Sequence, residues 1–351
     1  MKLKKIVQLS VVIFTVFFYF FNSDSIVNSV KEGMLLCFDT VIPSLYIFMV
    51  LASVLSEFEN ADILSFPFVP LFRLLNITNR RIMTYCVLSI MGGFATGGYF
   101  LNRIDNEFCC EKNFKCILLL LTSNNSPAFI IVATGLKILG SLKTGILLYL
   151  SVLFSCYATA FILSFFIPYS DTQTPCNNKT NSPDISRAVK SSVNGILNIC
   201  GVVILAFTAC KVVSLYIHFP AVSAAFSVLC EVTTACSNIC ALYGNNLYLI
   251  CTAVTVFPLS AYFQMKSFDK NNSYSFKILF LSKLLQVPLC ISFLRIMVNI
   301  FPVSSTVYAA GDIQVNSYWH SPHISLYLMV LSVCFVIAFD KKTGVFTKTN
   351  K

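Results

Sequence analysis

Apolar blocks of about 17–26 residues recur along this chain, each long enough to cross a hydrocarbon layer about 30 Å thick as a helix. Of 351 residues, 56% are apolar and 11% charged, against roughly 45–50% and about 25% in an ordinary soluble protein. A water-soluble enzyme of the usual kind is thereby excluded. The expected class is an all-α polytopic membrane helix bundle. The net charge of +10 does not indicate nucleic acid, because the basic residues lie in short clusters between apolar blocks rather than along one soluble face. Most of the 15 cysteines sit inside apolar blocks, where a thiol behaves as a small hydrophobe. Cys109 and Cys110, in a polar loop, are the exceptions, and neither has partners at zinc-site spacing.

The first block, residues 6–21, follows Lys2, Lys4 and Lys5, but no small-residue cleavage site comes after it, so a retained span is expected. Further crossings read at about 34–58, 114–136, 143–168, 192–217, 245–265, 275–300 and 323–340. Two stretches rich in small and hydroxyl residues, 83–100 and 221–242, read instead as re-entrant helical hairpins. Broken helices at membrane depth require protein or a wet cavity to satisfy the freed backbone. Residues 61–76, with Pro67 and Pro70, read as an interfacial helix. A cytoplasmic N-terminus places most of the basic residues on the inner side, as the positive-inside rule requires, with the C-terminus cytoplasmic as well. Lys31, Lys137, Lys143 and Lys211 then face outward. Lys283 and Arg295 fall inside a span, where they either snorkel to an interface or touch solute.

The same unit occurs twice in this layout, once upside down: a span, a hairpin, then a broken span. The expectation is about eight spans plus two re-entrant hairpins in an inverted-topology internal repeat, an arrangement associated with alternating access. The breaks hold the candidate solute-binding residues. Gly93, Thr96 and Gly97 lie at the first hairpin turn, where glycines either pack helices closely or expose backbone amides. Ser123, Asn124, Asn125 and Ser126 precede Pro127 in the middle of an apolar run, and one of them can cap a half-helix whose positive end faces a cavity. In the second half, Glu231 is the only acidic residue deep in an apolar stretch, with Thr233 and Thr234 beside it. It either binds solute or a proton, or pairs with a basic neighbour such as Lys211. Ser260 and Gln264, one turn apart after Phe257-Pro258, point to one side. Asn, Gln, Ser, Thr and a carboxylate suit a small polar solute with hydroxyl and amide groups.

At these residues the chain resembles the nucleoside-recognition, or gate-domain, family, and within it the YlbJ-type sporulation integral membrane proteins. The resemblance rests on VIPSLYIFMVLASVL, MGGFATGGY, TSNNSPAFIIVATG, AVKSSVNGILNICGVVILAF, LCEVTTAC and FPLSAYFQM, in that order. The span layout divides the chain into five segments: an N-terminal span (1–30), a first gate-like repeat with its connecting span (31–169), a polar cytoplasmic linker (170–187), a second, inverted repeat (188–265), and two C-terminal spans with a cytoplasmic tail (266–351). The resemblance covers roughly residues 30–300 of it. It implies a sporulation-associated, multi-pass cell-membrane protein, a permease for a nucleoside-like metabolite. Proton or sodium are the candidate coupling ions, the lipid bilayer is the surroundings, and a homo-oligomer is a candidate assembly. The alternative is a non-transporting assembly factor for the spore envelope. No cofactor, metal, nucleic-acid partner or catalytic residue is expected, since the chain has no Walker A loop, no His-Glu-x-x-His helix and no paired-aspartate motif.

Overall fold

The computed structural model describes residues 9–10, 13, 17–169, 174–175, 184–269 and 274–302. Within them the chain is almost wholly helical. Helix α1 (Ser23–Leu36) runs through a π-wound turn, Cys37–Val41, into α2 (Ile42–Leu55). Pro43 at the start of α2 lacks an amide hydrogen, and the axis bends by 52° across this junction. A 3-10 stretch, Glu59–Phe68, and a short α3 (Val69–Leu74) take the place of the expected interfacial helix.

Two helix pairs follow from local break signals. Helix α4 (Arg80–Gly92), capped by the Asn79 side chain on the amides of Arg81 and Ile82, ends at Gly93. That residue takes φ +78°, a conformation that disfavours a side chain, and the chain restarts as α5 (Phe94–Glu107). The two fold back on each other, for Tyr85 of α4 stacks on Phe100 and donates its hydroxyl to Glu107 of α5 at 2.7 Å. Helix α10 (Pro220–Cys230) and α11 (Val232–Tyr243) make a second pair around Glu231, closed by a 2.7 Å bond from Asn238 to Ser227.

Two broken helices match these pairs. Helix α6 (Lys112–Thr122) stops at Ser123, and the chain resumes after Pro127 as α7 (Ala128–Ile138), which is π-wound. Helix α12 (Leu247–Thr255), capped by Asn246, stops before Phe257-Pro258, and α13 (Leu259–Lys266) follows. Two longer helices, α8 (Leu142–Ser164) and α14 (Phe276–Ile300), pack on each other. Helix α9 (Ile185–Ser214), capped by Asp184, lies against α1 and α2. A two-residue strand, β1 (Phe108–Cys109), pairs antiparallel with β2 (Thr174–Pro175).

Among the described residues, four helices are long and apolar enough to cross a membrane: Leu142–Ser164, Ile185–Ser214, Leu247–Lys266 taken across its break, and Phe276–Ile300. The bent Ser23–Val41 and Leu45–Leu55 pair would make a fifth. These helices mark a membrane protein. The crossing expected at 114–136 is two short helices, because the polar run at 123–126 interrupts it. The expected spans at 6–21 and 323–340 lie largely or wholly outside the described residues. Of the two loop cysteines set apart in the sequence, Cys109 is disulfide-bonded.

The core divides into three apolar regions. The largest joins α4, α5, α6, α8 and α14; a second joins α7, α8, α11, α12 and α14; a third lies between α1, α2 and α9 and touches Ala95 at the tip of the first hairpin. Glycines set the closest approaches. A Cβ on Gly97 would stand 2.2 Å from the Thr122 carbonyl oxygen, and one on Gly135 would stand 2.4 Å from the Gly145 Cα.

Candidate functional site

All four breaks meet at one cavity. Counted out to open solvent at its mouth, its empty space is about 560 Å³. The first hairpin tip contributes Gly92, Gly93, Phe94 and Ala95, and the first broken helix contributes Asn125, Ser126 and Phe129. The second hairpin tip contributes Glu231, Val232 and Thr233, and the second broken helix contributes Pro258, Ser260 and Gln264. Thr40, Val41 and Leu45 of the bent α1–α2 junction and Ile199 and Val203 of α9 close the remaining side.

Each break joins the C-terminal end of one helix to the N-terminal end of the next, and the lining comes almost entirely from the N-terminal ends. The first turns of α5, α7, α11 and α13 therefore face one space. A helix N-terminus presents unpaired amide hydrogens and roughly half a positive charge. Two of the four ends are capped from within: Ser126 Oγ accepts from the Phe129 amide at 3.1 Å, and Glu231 Oε2 accepts from the Thr234 amide at 2.6 Å and the Thr234 hydroxyl at 2.9 Å. The ends of α5 and α13 have no side-chain cap. Glu231 is 2% exposed and provides the carboxylate in this ring of helix ends. Among the described residues, the side chains of Thr40, Thr233, Ser260 and Gln264 line the cavity without a hydrogen-bond partner.

Cross-links between the halves hold the breaks in place. Asn125 Nδ2 donates to the Val254 carbonyl at 2.7 Å, satisfying an acceptor in the last turn of α12. Phe94 packs edge-on against Phe257 at 5.6 Å, tying the first hairpin tip to the second break. Gly93 lies so close to the first break that a Cβ would meet the Ser126 amide nitrogen at 3.0 Å.

Of the residues expected to bind solute, Gly93, Asn125, Ser126, Glu231, Thr233, Ser260 and Gln264 line the cavity. The other five do not, and each has a structural occupation. Thr96 donates to the Ser89 and Gly93 carbonyls and clasps its own hairpin turn. Gly97 lets that hairpin approach the Thr122 carbonyl. Ser123 bonds back to the Leu119 carbonyl and to Met265 Sδ. Asn124 turns away to Lys283 and Cys156, and Thr234 supports Glu231. Lys283 does not snorkel: it is 3% exposed, with Nζ 2.9 Å from Asn124 Oδ1. Lys211 pairs with Glu32 at 3.1 Å and not with Glu231. Sequence reading missed Thr40, whose signal is a polar Asp39-Thr40 pair near the start of an apolar block, just before Pro43, and the tip residues Phe94 and Ala95.

No protein-family model, curated protein or solved structure matches this chain.

Proposed function

We propose that the chain is a permease that moves a small polar metabolite across a membrane, binding it where the four breaks converge. The observation that carries this reading is the single cavity ringed by four helix N-termini, with unpartnered hydroxyl and amide groups turned into it. Such a site favours solutes that present oxygen acceptors or negative charge to the helix ends. Glu231 then receives a hydroxyl or amino group on another part of the solute. A nucleoside-like solute and a role in sporulation follow from the sequence resemblance to the gate-domain family, with both termini cytoplasmic by the charge bias.

In this reading the architecture is an inverted repeat of about eight spans with two re-entrant hairpins. The reciprocal packing supports it. Helix α5 of the first hairpin lies on α13 of the second broken helix, and α11 of the second hairpin lies on α7 of the first. The corresponding pairs α2 with α9 and α8 with α14 also meet. Exchange of the two halves leaves this set of contacts unchanged.

Purified protein in liposomes, offered labelled uridine as a probe, is expected to exchange it across the bilayer. Glu231→Gln and Asn125→Ala are expected to abolish exchange while remaining folded and inserted. Uridine exchange that persists unchanged in both variants would refute the assignment of the cavity.

A further inference from the structure

One residue before Asn125, the first break feeds a second buried polar cluster that the cavity does not use. Lys283 of α14 donates to Asn124 Oδ1 at 2.9 Å, and Gln286, one turn on and fully buried, reaches the same oxygen at 3.4 Å. Gln286 Nε2 also contacts the Val152 carbonyl at 3.3 Å and Ser155 Oγ at 3.4 Å, and its Oε1 has no partner among the described residues. Asn124 Nδ2 donates to the Leu121 carbonyl at 3.2 Å, linking the lysine to the C-terminal end of α6.

The ammonium form of Lys283 is poorly supported. It has three hydrogens to donate and one acceptor, an amide oxygen. Among the described residues no carboxylate lies within ion-pair distance of it. The titratable groups facing it are thiols: Cys156 from α8 and Cys290 from α14 itself, the latter 3.3 Å from Cys251 of α12. From the break after α6 comes the neutral amide of Asn124. An unpaired charge at this depth is expensive. Glu231 is the opposite case, since its carboxylate accepts two hydrogen bonds and caps a helix N-terminus. Lys283, 3% exposed, thus has one neutral acceptor among the described residues and no counter-charge.

Asn124 and Asn125 are neighbours in one short break, and among the described residues the Asn125 side chain bonds to the Val254 carbonyl alone. Asn125 lines the cavity and Asn124 carries the oxygen to which Lys283 donates, so any shift of this break changes both environments. We propose that Lys283 takes up and releases the proton that couples solute movement to a proton gradient, through the Asn124–Asn125 pair. The step is a single protonation: the Nζ lone pair binds a proton from water on one side of the membrane, and the ammonium returns it to water on the other. No electron moves. The proposal rests on the carrier reading above.

The test uses the full chain in liposomes loaded with a pH-sensitive dye and offered labelled uridine. In the wild type, uridine entry should shift lumenal pH, and an imposed gradient of one pH unit should change uridine accumulation by up to about 10-fold, the factor that about 1.4 kcal/mol carries. Lys283→Met should retain uridine exchange yet show neither proton movement nor gradient-driven accumulation, and Lys283→Arg should behave likewise. Independently of these variants, lysine labelled with carbon-13 at Cε in the wild type should show one buried signal that titrates reversibly and shifts on uridine addition. Proton movement that persists in Lys283→Met, or a Lys283 signal that never titrates, would overturn the coupling alone and leave the carrier intact. Absence of uridine exchange in the wild type would overturn both.

Discussion

Replacing Gly97 by alanine tests the packing that brings the breaks together. The new methyl would stand 2.2 Å from the Thr122 carbonyl oxygen and 3.1 Å from its carbon. Ordinary contact begins near 3.4 Å, so α5 and the end of α6 must separate by roughly 1 Å, and both neighbours are backbone with no rotamer to absorb the change. Overpacking of this kind costs about 1–3 kcal/mol. Gly201 provides the matched control, because a Cβ there meets nothing within 4 Å in the middle of α9. Alanine at that position should stabilise by about 0.5–1 kcal/mol through lost chain entropy. Thermal unfolding of the purified protein should therefore move in opposite directions for the same chemical change, with Gly97→Ala several degrees below the wild type at roughly 2–4 °C per kcal/mol. Uridine exchange should fall in Gly97→Ala, whose displaced hairpin carries Phe94 and Ala95 into the cavity wall, and stay unchanged in Gly201→Ala. A melting temperature for Gly97→Ala equal to or above that of Gly201→Ala would refute the argument.

Two further outcomes follow from hydrogen bonds. Glu231→Ala should lower stability by about 1 kcal/mol through loss of the helix cap. Glu231→Gln keeps an acceptor for the Thr234 amide and should stay close to the wild type, so that equal melting temperatures for the two variants would show that the cap contributes nothing. Tyr85→Phe removes a buried hydroxyl that donates to Glu107 and accepts from Arg81 Nε at 3.1 Å; it should cost about 1.5–3 kcal/mol, and an unchanged denaturation midpoint would count against that network.

Legibility from sequence differed by residue type. Helix breaks are readable because proline, glycine and runs of polar residues act locally: Gly93, Ser123–Pro127 and Phe257-Pro258 are all expected to interrupt helices, and each does. Glu231 is expected only to lie within the second hairpin, and the structure puts the turn at that residue. Ser260 and Gln264 share a side as their one-turn spacing requires. Which of several adjacent polar residues faces the cavity was not readable, because side-chain direction within a break depends on the partner half. Asn124 and Asn125 are chemically identical, and only the positions of Lys283 and the Val254 carbonyl, 159 and 129 residues away, separate their roles. The same reason hid Lys283. Its distance from the end of its helix resembles that of a snorkelling lysine, and the acceptor that retains it belongs to another helix. Thr40 was hidden because the bend at Cys37–Val41 comes from a change of helical pitch, which leaves weak marks in sequence.

The uneven make-up of the cavity wall has a consequence for discrimination. Hydrogen-bonding groups come from the four breaks, whereas α9 and the α1–α2 bend offer, apart from Thr40, the smooth hydrocarbon of Val41, Leu45, Ile199 and Val203. An occupant would be read along one edge only, its opposite flank meeting a surface that excludes water and asks nothing of its chemistry. Selectivity at such a one-sided lock is strict about one set of functional groups and permissive toward apolar bulk on the far flank.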